Sequence, residues 1–527
     1  MNVVFRVDAS NLIGTGHVMR CRTLASVLQL RGAHIRFVTR KHFGHLAEIL
    51  ACDGFQVELL PGPDGVGCEA GYAGWLGVSQ VQDARQTITA LRGVMCDLLV
   101  VDHYALDSVW ESLLRPHTSQ FMVIDDLANR EHDCDVLLDQ NYSLLGRKRY
   151  EACVSVSCQL LLGPRYALLR PEYAKARELL EPRRSSIQRV LIYMGGSDSA
   201  NITGMALRAL STSRLRHLDV DVVTGSNFVF QAEIAEIVKA RPRTQVYGQQ
   251  PHLAGLMATA DISVGAGGAT TWERLCLGLR SLVVSIADNQ VPGCEALALS
   301  GLIRYLGRAE NVSASMIEEA LVQEISSVEG ACAWQMQVRA LVDGLGARRV
   351  VEAIRPTGVS ELRVRAARAG DVLTYFNWVN DPMVRASALQ SSPIDFETHV
   401  RWFERRLEDP DCSLLVMEVD GLPLGQVRFE RQGAVTFVDY SLDEMVRGRG
   451  WARRLIELGV QSVTQGGREQ HDILAVVRSE NIASRRTFES LGFSEVSSNA
   501  YGCVHYLMKV GGQGQMDSLC ERRVPID

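Results

Sequence analysis

Apolar residues recur along the first third of the chain in short blocks spaced by helical patterns. VVFRV (3–7), IRFVT (35–39), DLLVVD (97–102) and FMVIDD (121–126) predict buried strands, and VMRCRTLASVLQLRG (18–32) predicts a helix ending at Gly32. Strand and helix alternating in this way predict a doubly wound parallel sheet. Near Pro182 the pattern restarts. RVLIYMGGSD (189–198), LDVDVVTG (218–225), ADISVGAGG (260–268) and SLVVSIADNQ (281–290) repeat a strand followed by a turn. Residues 1–182 and 183–345 therefore predict two similar α/β lobes with a cleft between them.

The style changes after a proline- and glycine-containing stretch, 346–357, which reads as a linker. From 358 to 510 the segments LRVRAAR, LLVMEVDGLPLGQVRFE and AVTFVDYSL predict a more antiparallel sheet, with Asp420-Gly421 as a hairpin turn. A glycine–arginine turn and an amphipathic helix follow. The tail, 511–527, is polar and glycine-rich and predicts disorder.

Composition changes this picture little. With 46% apolar and 22% charged residues and a formal charge of −6, the chain is an ordinary globular one without the basic block of a nucleic-acid binder. Its 13 cysteines are irregularly spaced, with no C-x-x-C pair, so neither a disulfide frame nor a zinc site is expected. The N-terminus lacks the features of a signal peptide, and no apolar run approaches the ~20 residues of a membrane span. These patterns predict a cytoplasmic protein and say nothing of its oligomeric state.

Ligands of open α/β sheets bind beyond the carboxyl ends of strands. Four polar or glycine-rich turns fall there: GTGH (14–17), DHY (102–104), GGSD (195–198) and GAGGATTWE (265–273). Two glycine turns in the second lobe suggest a diphosphate, because glycine lets backbone N–H groups approach an anion. Gly14-x-Gly16 is not a dinucleotide fingerprint, since Met19 stands where a third glycine is needed. His17 follows that turn, where a side chain would point into the cleft as a candidate general base, kept neutral by the positive helix end. Asp125 and Asp126 read equally as a cation site or a strand-end cap, and no metal is expected.

The segments VDASNLIGTGHVMRCRTLA, WLGVSQVQDA, VVDHYALD, VIDDLANREHDCDVLLDQN, LLGPRYALLRPEY, MGGSD and GAGGATTWERLCLGLRSLVVSIADNQ occur in this order over residues 1–345. Together they resemble the UDP-2,4-diacetamido-2,4,6-trideoxy-β-L-altropyranose hydrolases of pseudaminic acid biosynthesis. Those are related to the GT-B glycosyltransferase that adds N-acetylglucosamine to lipid I. The resemblance implies two Rossmann-like lobes of GT-B type, a UDP-sugar in the cleft, and replacement of UDP by water at the anomeric carbon. It assigns the base to His17 and water or sugar placement to Asn289, with Gln290 beside it. Gly14 and Gly16, in the catalytic loop, would bind the substrate, as would Gln290. Gly195, Gly196, Ser197, Gly267, Gly268 and Ala269 would contact the diphosphate, and Glu273 the ribose hydroxyls. The same fold also serves glycosyltransferases using similar nucleotide sugars, or a silent binding scaffold.

Arg447-Gly448-Arg449-Gly450-Trp451-Ala452 resembles the pyrophosphate loop of the GNAT acetyltransferase superfamily, R/Q-x-x-G-x-G/A. About 50 residues later the downstream pattern N-x-x-S-x-x-x-[FY]-x-x-x-G-F matches Asn481, Ser484, Phe488, Gly492 and Phe493. The resemblance implies an α+β GNAT domain binding acetyl-CoA, with Asn481 and Ser484 near the CoA arm. Two positions depart from the family. Phe488 replaces the tyrosine that protonates the thiolate, and Val476 replaces the usual glutamate base. Tyr501 and Tyr506 are candidate stand-ins. In the same pathway a 4-amino UDP-sugar is N-acetylated just before hydrolysis, so fusing the two steps is chemically coherent.

Overall fold

The computed structural model describes residues 1–63, 71–180, 183, 186–196, 198–225, 227–327, 331–355, 357–358, 361–464, 471–498 and 502–510. Ser197, Tyr501 and the tail 511–527 thus lie outside the described residues. The chain divides into two compact units, Met1–Ile354 and Arg355–Asp527.

The first unit holds two parallel sheets. One contains β1 (Asn2–Val7), β2 (His34–Arg40), β3 (Gln56–Leu60), β4 (Leu98–Asp102), β5 (Phe121–Ile124), β6 (Val136–Asp139) and β7 (Gln159–Leu162), in the order β3-β2-β1-β4-β5-β6-β7. Every residue of β4, β5 and β6 is buried, as expected for a sheet covered on both faces. The other contains β8 (Arg189–Tyr193), β9 (Asp219–Val223), β10 (Thr244–Tyr247), β11 (Ile262–Ala266), β12 (Arg280–Ser285) and β13 (Arg304–Arg308), ordered β10-β9-β8-β11-β12-β13. Each sheet reverses its winding once, between β1 and β4 and between β8 and β11. Two Rossmann-like lobes in succession make this unit a GT-B type fold.

Two expectations need correction. The first helix spans Gly16–Leu30 rather than 18–32, so His17 lies in its first turn and not in the loop before it. The expected linker is, over Gly346–Ile354, a helix. Ala347, Val350, Val351 and Ile354 form an apolar stripe at helical spacing, and all four are buried. This helix returns to the first lobe. It packs on Gly16–Leu30, Glu352 pairs with Arg31, and a side chain on Gly346 would collide with the Tyr166–Ala167 backbone.

The second unit is a mixed sheet: β14 (Arg363–Ala366), β15 (Cys412–Val419), β16 (Leu422–Gln432), β17 (Val435–Leu442), β18 (Asp472–Arg478), β19 (Ser494–Ser498) and β20 (Cys503–Met508), ordered β14-β15-β16-β17-β18-β20-β19. Asp420 and Gly421 both have positive φ, 48° and 73°, the geometry of a two-residue hairpin turn. β17 and β18 are parallel, not antiparallel, and pair only from Val435–Asp472 to Val438–Ala475. Beyond that point the two strands are no longer paired with each other.

Candidate functional site

The first switch point carries His17. Ser10 Oγ accepts the Leu12 and Ile13 N–H groups, and Gly14 turns the chain at φ 81°. The helix then starts at Gly16 and aims the next side chain at the end of β4. There His17 Nδ1 lies 2.6 Å from Asp102 Oδ1. Arg20, one helical turn later, clamps the same carboxylate through Nε and Nη2, both at 2.6 Å. Burial alone would push the Asp102 carboxyl up, but Arg20 and His17 outweigh it and hold it well below the ordinary carboxylate range. A permanent carboxylate at Nδ1 places the imidazole proton there and leaves Nε2 as the lone-pair nitrogen.

The Tyr104 ring stands edge-on to His17, with centroids 4.6 Å apart, and Trp75 stacks on Tyr104 at 5.5 Å. The Tyr104 hydroxyl donates to Asp126 and accepts from Asn289 Nδ2 at 3.1 Å. Asn289 belongs to the second lobe, so the two residues assigned to catalysis from the sequence converge on one tyrosine. Asp126 also accepts from Asn141 at 3.1 Å, and Asp125 accepts from Arg130 and the Ala128 N–H. Both aspartates are thus engaged by protein donors. Among the described residues no three His, Cys, Asp or Glu side chains gather as metal ligands.

The second lobe presents its glycine turns to this loop. A methyl placed on Gly196 would lie 3.8 Å from Thr15 Oγ1, and Gly195 has a φ of 91° that favours glycine. Asp198 caps the next helix through the Ile202 and Thr203 N–H groups, so its carboxylate is not free for a ligand. Gln290 braces the other turn. Its Oε1 accepts the Ile286 N–H, and its Nε2 would lie 3.5 Å from a Cβ on Gly268. Gly267 has no room for a side chain because Cys294 Sγ occupies that space. Ala269 is exposed at the helix start.

Glu273 is held against the Tyr173 hydroxyl. Burial pushes its carboxyl up from an ordinary 4.5 to about 7, with Tyr173 and Arg274 opposing in part. A raised folded-state value means stability that is complete below 4.5 and lost as pH rises through about 7. Glu273→Gln is therefore expected to stabilise the first unit at pH 8, by up to ~3 kcal/mol, and to change little at pH 5. Thermal unfolding at the two pH values checks this.

In the second unit Gly448 and Gly450 both take left-handed φ, 77° and 75°, immediately before the helix Trp451–Thr464. A Cβ on either would meet open space, so their backbone faces a vacant surface at a helix N-terminus. Arg447 turns away to Asp381 (2.9 Å) and the Leu442 carbonyl, Arg449 lies over the Trp451 ring, and Ala452 is half-buried. Asn481 Oδ1 caps the helix Ile482–Ser490 at Ser484 N–H, and Ser484 Oγ pairs with the Tyr440 hydroxyl at 2.9 Å. Phe488 is buried among Tyr440, Phe493 and Tyr506. The Tyr506 hydroxyl donates to Glu489 and accepts from Arg485, so it is already committed.

Asp102, Arg20 and Tyr104 were not assigned from the sequence. Their signals were present. Asp102 ends a fully apolar strand, Tyr104 follows two residues on, and Arg20 sits three residues after His17 on one helix face.

Residues 361–494 match the acetyltransferase (GNAT) domain family. The uncharacterized protein MJ1062 of Methanocaldococcus jannaschii is 22% identical over 523 residues, spanning 94% of this chain and 97% of that protein. The spore coat polysaccharide biosynthesis protein SpsG of Bacillus subtilis is 24% identical over 66% of this chain and 96% of its own length. The UDP-2,4-diacetamido-2,4,6-trideoxy-β-L-altropyranose hydrolase of Campylobacter jejuni is 23% identical over 57% of this chain and 97% of its own. The chain thus joins a region similar to a UDP-sugar hydrolase and to a polysaccharide biosynthesis protein to a GNAT domain, whose cofactor is acetyl-CoA. No helix among the described residues is long and apolar enough to cross a membrane.

Proposed function

We propose that the first unit hydrolyses a UDP-linked diacetamido-trideoxy-hexose, UDP-2,4-diacetamido-2,4,6-trideoxy-β-L-altropyranose, to the free sugar and UDP. The observation that carries this reading is the meeting of His17, paired to Asp102, with Asn289 of the opposite lobe at Tyr104. Water gives a proton to His17 Nε2 while its oxygen bonds the anomeric carbon, and the carbon–oxygen bond to UDP breaks with its electron pair leaving on UDP. Asp102 stabilises the imidazolium that forms. UDP is a good leaving group, so the backbone N–H groups at Gly195, Gly196, Gly268 and Ala269 need only hold its charge, while the Gly267 N–H is taken by the Val284 carbonyl. The side chain of Glu273 serves the ribose hydroxyls, while Gln290 keeps the Gly267–Gly268 turn in shape.

The second unit transfers an acetyl group to the 4-amino group of the precursor UDP-sugar. Acetyl-CoA supplies the activated acetyl group. The open backbone at Gly448 and Gly450 fits a pyrophosphate, and the ends of β17 and β18 that do not pair with each other suit an amide-bearing arm. Asn481 keeps its amide nitrogen for that arm.

The test uses the full chain and the UDP-sugar without any acceptor. UDP release in step with free sugar supports hydrolysis; release that requires an added sugar or lipid acceptor would make the first unit a glycosyltransferase. Asp102→Asn is expected to lower the hydrolysis kcat by about 100-fold or more, because the imidazole loses its fixed tautomer and its counter-charge. Steady-state UDP release with unchanged UDP affinity is the measurement.

A further inference from the structure

The second switch point, between β8 and β11, holds a cation that the sequence motifs do not explain. Arg274 is 2% exposed. Its Nη2 donates to the Ala266 carbonyl at 2.7 Å and to Thr271 Oγ1 at 2.9 Å. Its Nε has no hydrogen-bond partner among the described residues, and Nη1 donates to none of them. A Cβ built on Gly265 would lie 1.7 Å from Arg274 Nη1 and 3.1 Å from the Tyr193 carbonyl oxygen. The guanidinium therefore occupies the space a Gly265 side chain would need, beside the last residues of both β8 and β11. The glycine turns Gly195–Gly196 and Gly267–Ala269 leave from those two strand ends.

A buried cation is costly unless an anion faces it. The adjoining Glu273 is itself pushed towards its neutral form, and burial lowers the Arg274 guanidinium to about 10. The positive charge at this point is thus under-compensated by the protein, and it lies beneath the turns that offer N–H groups to a ligand.

We propose that Arg274 is the built-in counter-charge for the diphosphate of the nucleotide sugar, a positioning residue that acts from below the two glycine turns. This rests on the nucleotide-sugar reading above. Arg274 holds the Ala266 carbonyl back from the anion and adds a fixed positive field at the switch point. It discriminates between ligands that carry phosphates and ligands that carry only the nucleoside.

The test measures UDP and uridine binding by calorimetry on the full chain for the wild type, Arg274→Met, Gly265→Ala and the double variant. Arg274→Met is expected to weaken UDP roughly 10- to 100-fold and uridine less than about threefold. Gly265→Ala keeps the charge but displaces the guanidinium, and is expected to lose the same selectivity. In the double variant the collision at Gly265 disappears, so its folding should recover while UDP selectivity stays low. Equal losses of UDP and uridine affinity, or unchanged UDP affinity, would overturn the role. If Arg274→Met does not fold, an unaltered UDP-to-uridine ratio in Gly265→Ala overturns it instead. A wild type that binds neither ligand sinks the nucleotide-sugar reading itself, and the role of Arg274 with it.

Discussion

His17→Ala is expected to lower UDP release from the UDP-sugar by about 1,000-fold while UDP binds within about threefold of the wild type. The size follows from the geometry. Asp102 and Arg20 fix the ring so that Nε2 is the acceptor, and the adjoining Tyr104 and Asn289 offer no second base of comparable strength. Removing the imidazole leaves water to lose its proton to solvent. The turns proposed to hold the diphosphate lie on the other lobe and are untouched, so affinity should persist. A silent scaffold would show no change in turnover, and a structural role for His17 would lower binding and melting temperature together. Product release and calorimetric binding, run on one preparation, separate these outcomes.

The second large effect is expected at Gly450. Its φ of 75° suits glycine, and a valine there is strained as well as projecting into the open space before the helix Trp451–Thr464. Gly450→Val should reduce acetyl-CoA affinity by about 100-fold or more, because it disturbs the N–H groups at a helix N-terminus and blocks the approach of the pyrophosphate. UDP release by the first unit should remain at the wild-type level. Calorimetric titration with acetyl-CoA and the UDP-release assay check the two statements. Loss of both activities together would mean that the substitution unfolds more than its own unit.

Much of the fold was legible because parallel strands buried on both faces are written as continuous apolar runs. β1, β2, β4, β5, β8, β9, β11 and β12 were recognisable in this way. β3 (QVELL) and β10 (TQVY) were not, since these edge strands lack a continuous buried run. The helix Gly346–Ile354 was hidden by a different cause. Its stripe is clear at positions 347, 350, 351 and 354, but flanking glycine and proline read as a linker. At the candidate site, a strand-to-helix turn pointed to His17 because its signal is local. Asp102, Tyr104 and Arg274 act through distance, and no spacing along one segment states that β4 lies beside β1 or that a guanidinium fills the side-chain space of a glycine nine residues earlier. The parallel pairing of β17 and β18 escaped notice for the same reason: strand direction is a property of the crossover, not of either strand.

The returning helix also bears on how the chain is made. Val350 and Val351 are both 0% exposed, on a helix that packs on Gly16–Leu30, more than three hundred residues upstream. The first lobe is therefore a discontinuous domain. On the ribosome its sheet can assemble early, yet the apolar face meant for residues 347–354 stays bare until the whole second lobe has been synthesised. Cutting the gene at the lobe boundary would leave that face exposed for good, so the shortest first-lobe product that buries its own surface is the entire stretch from Met1 to Ile354.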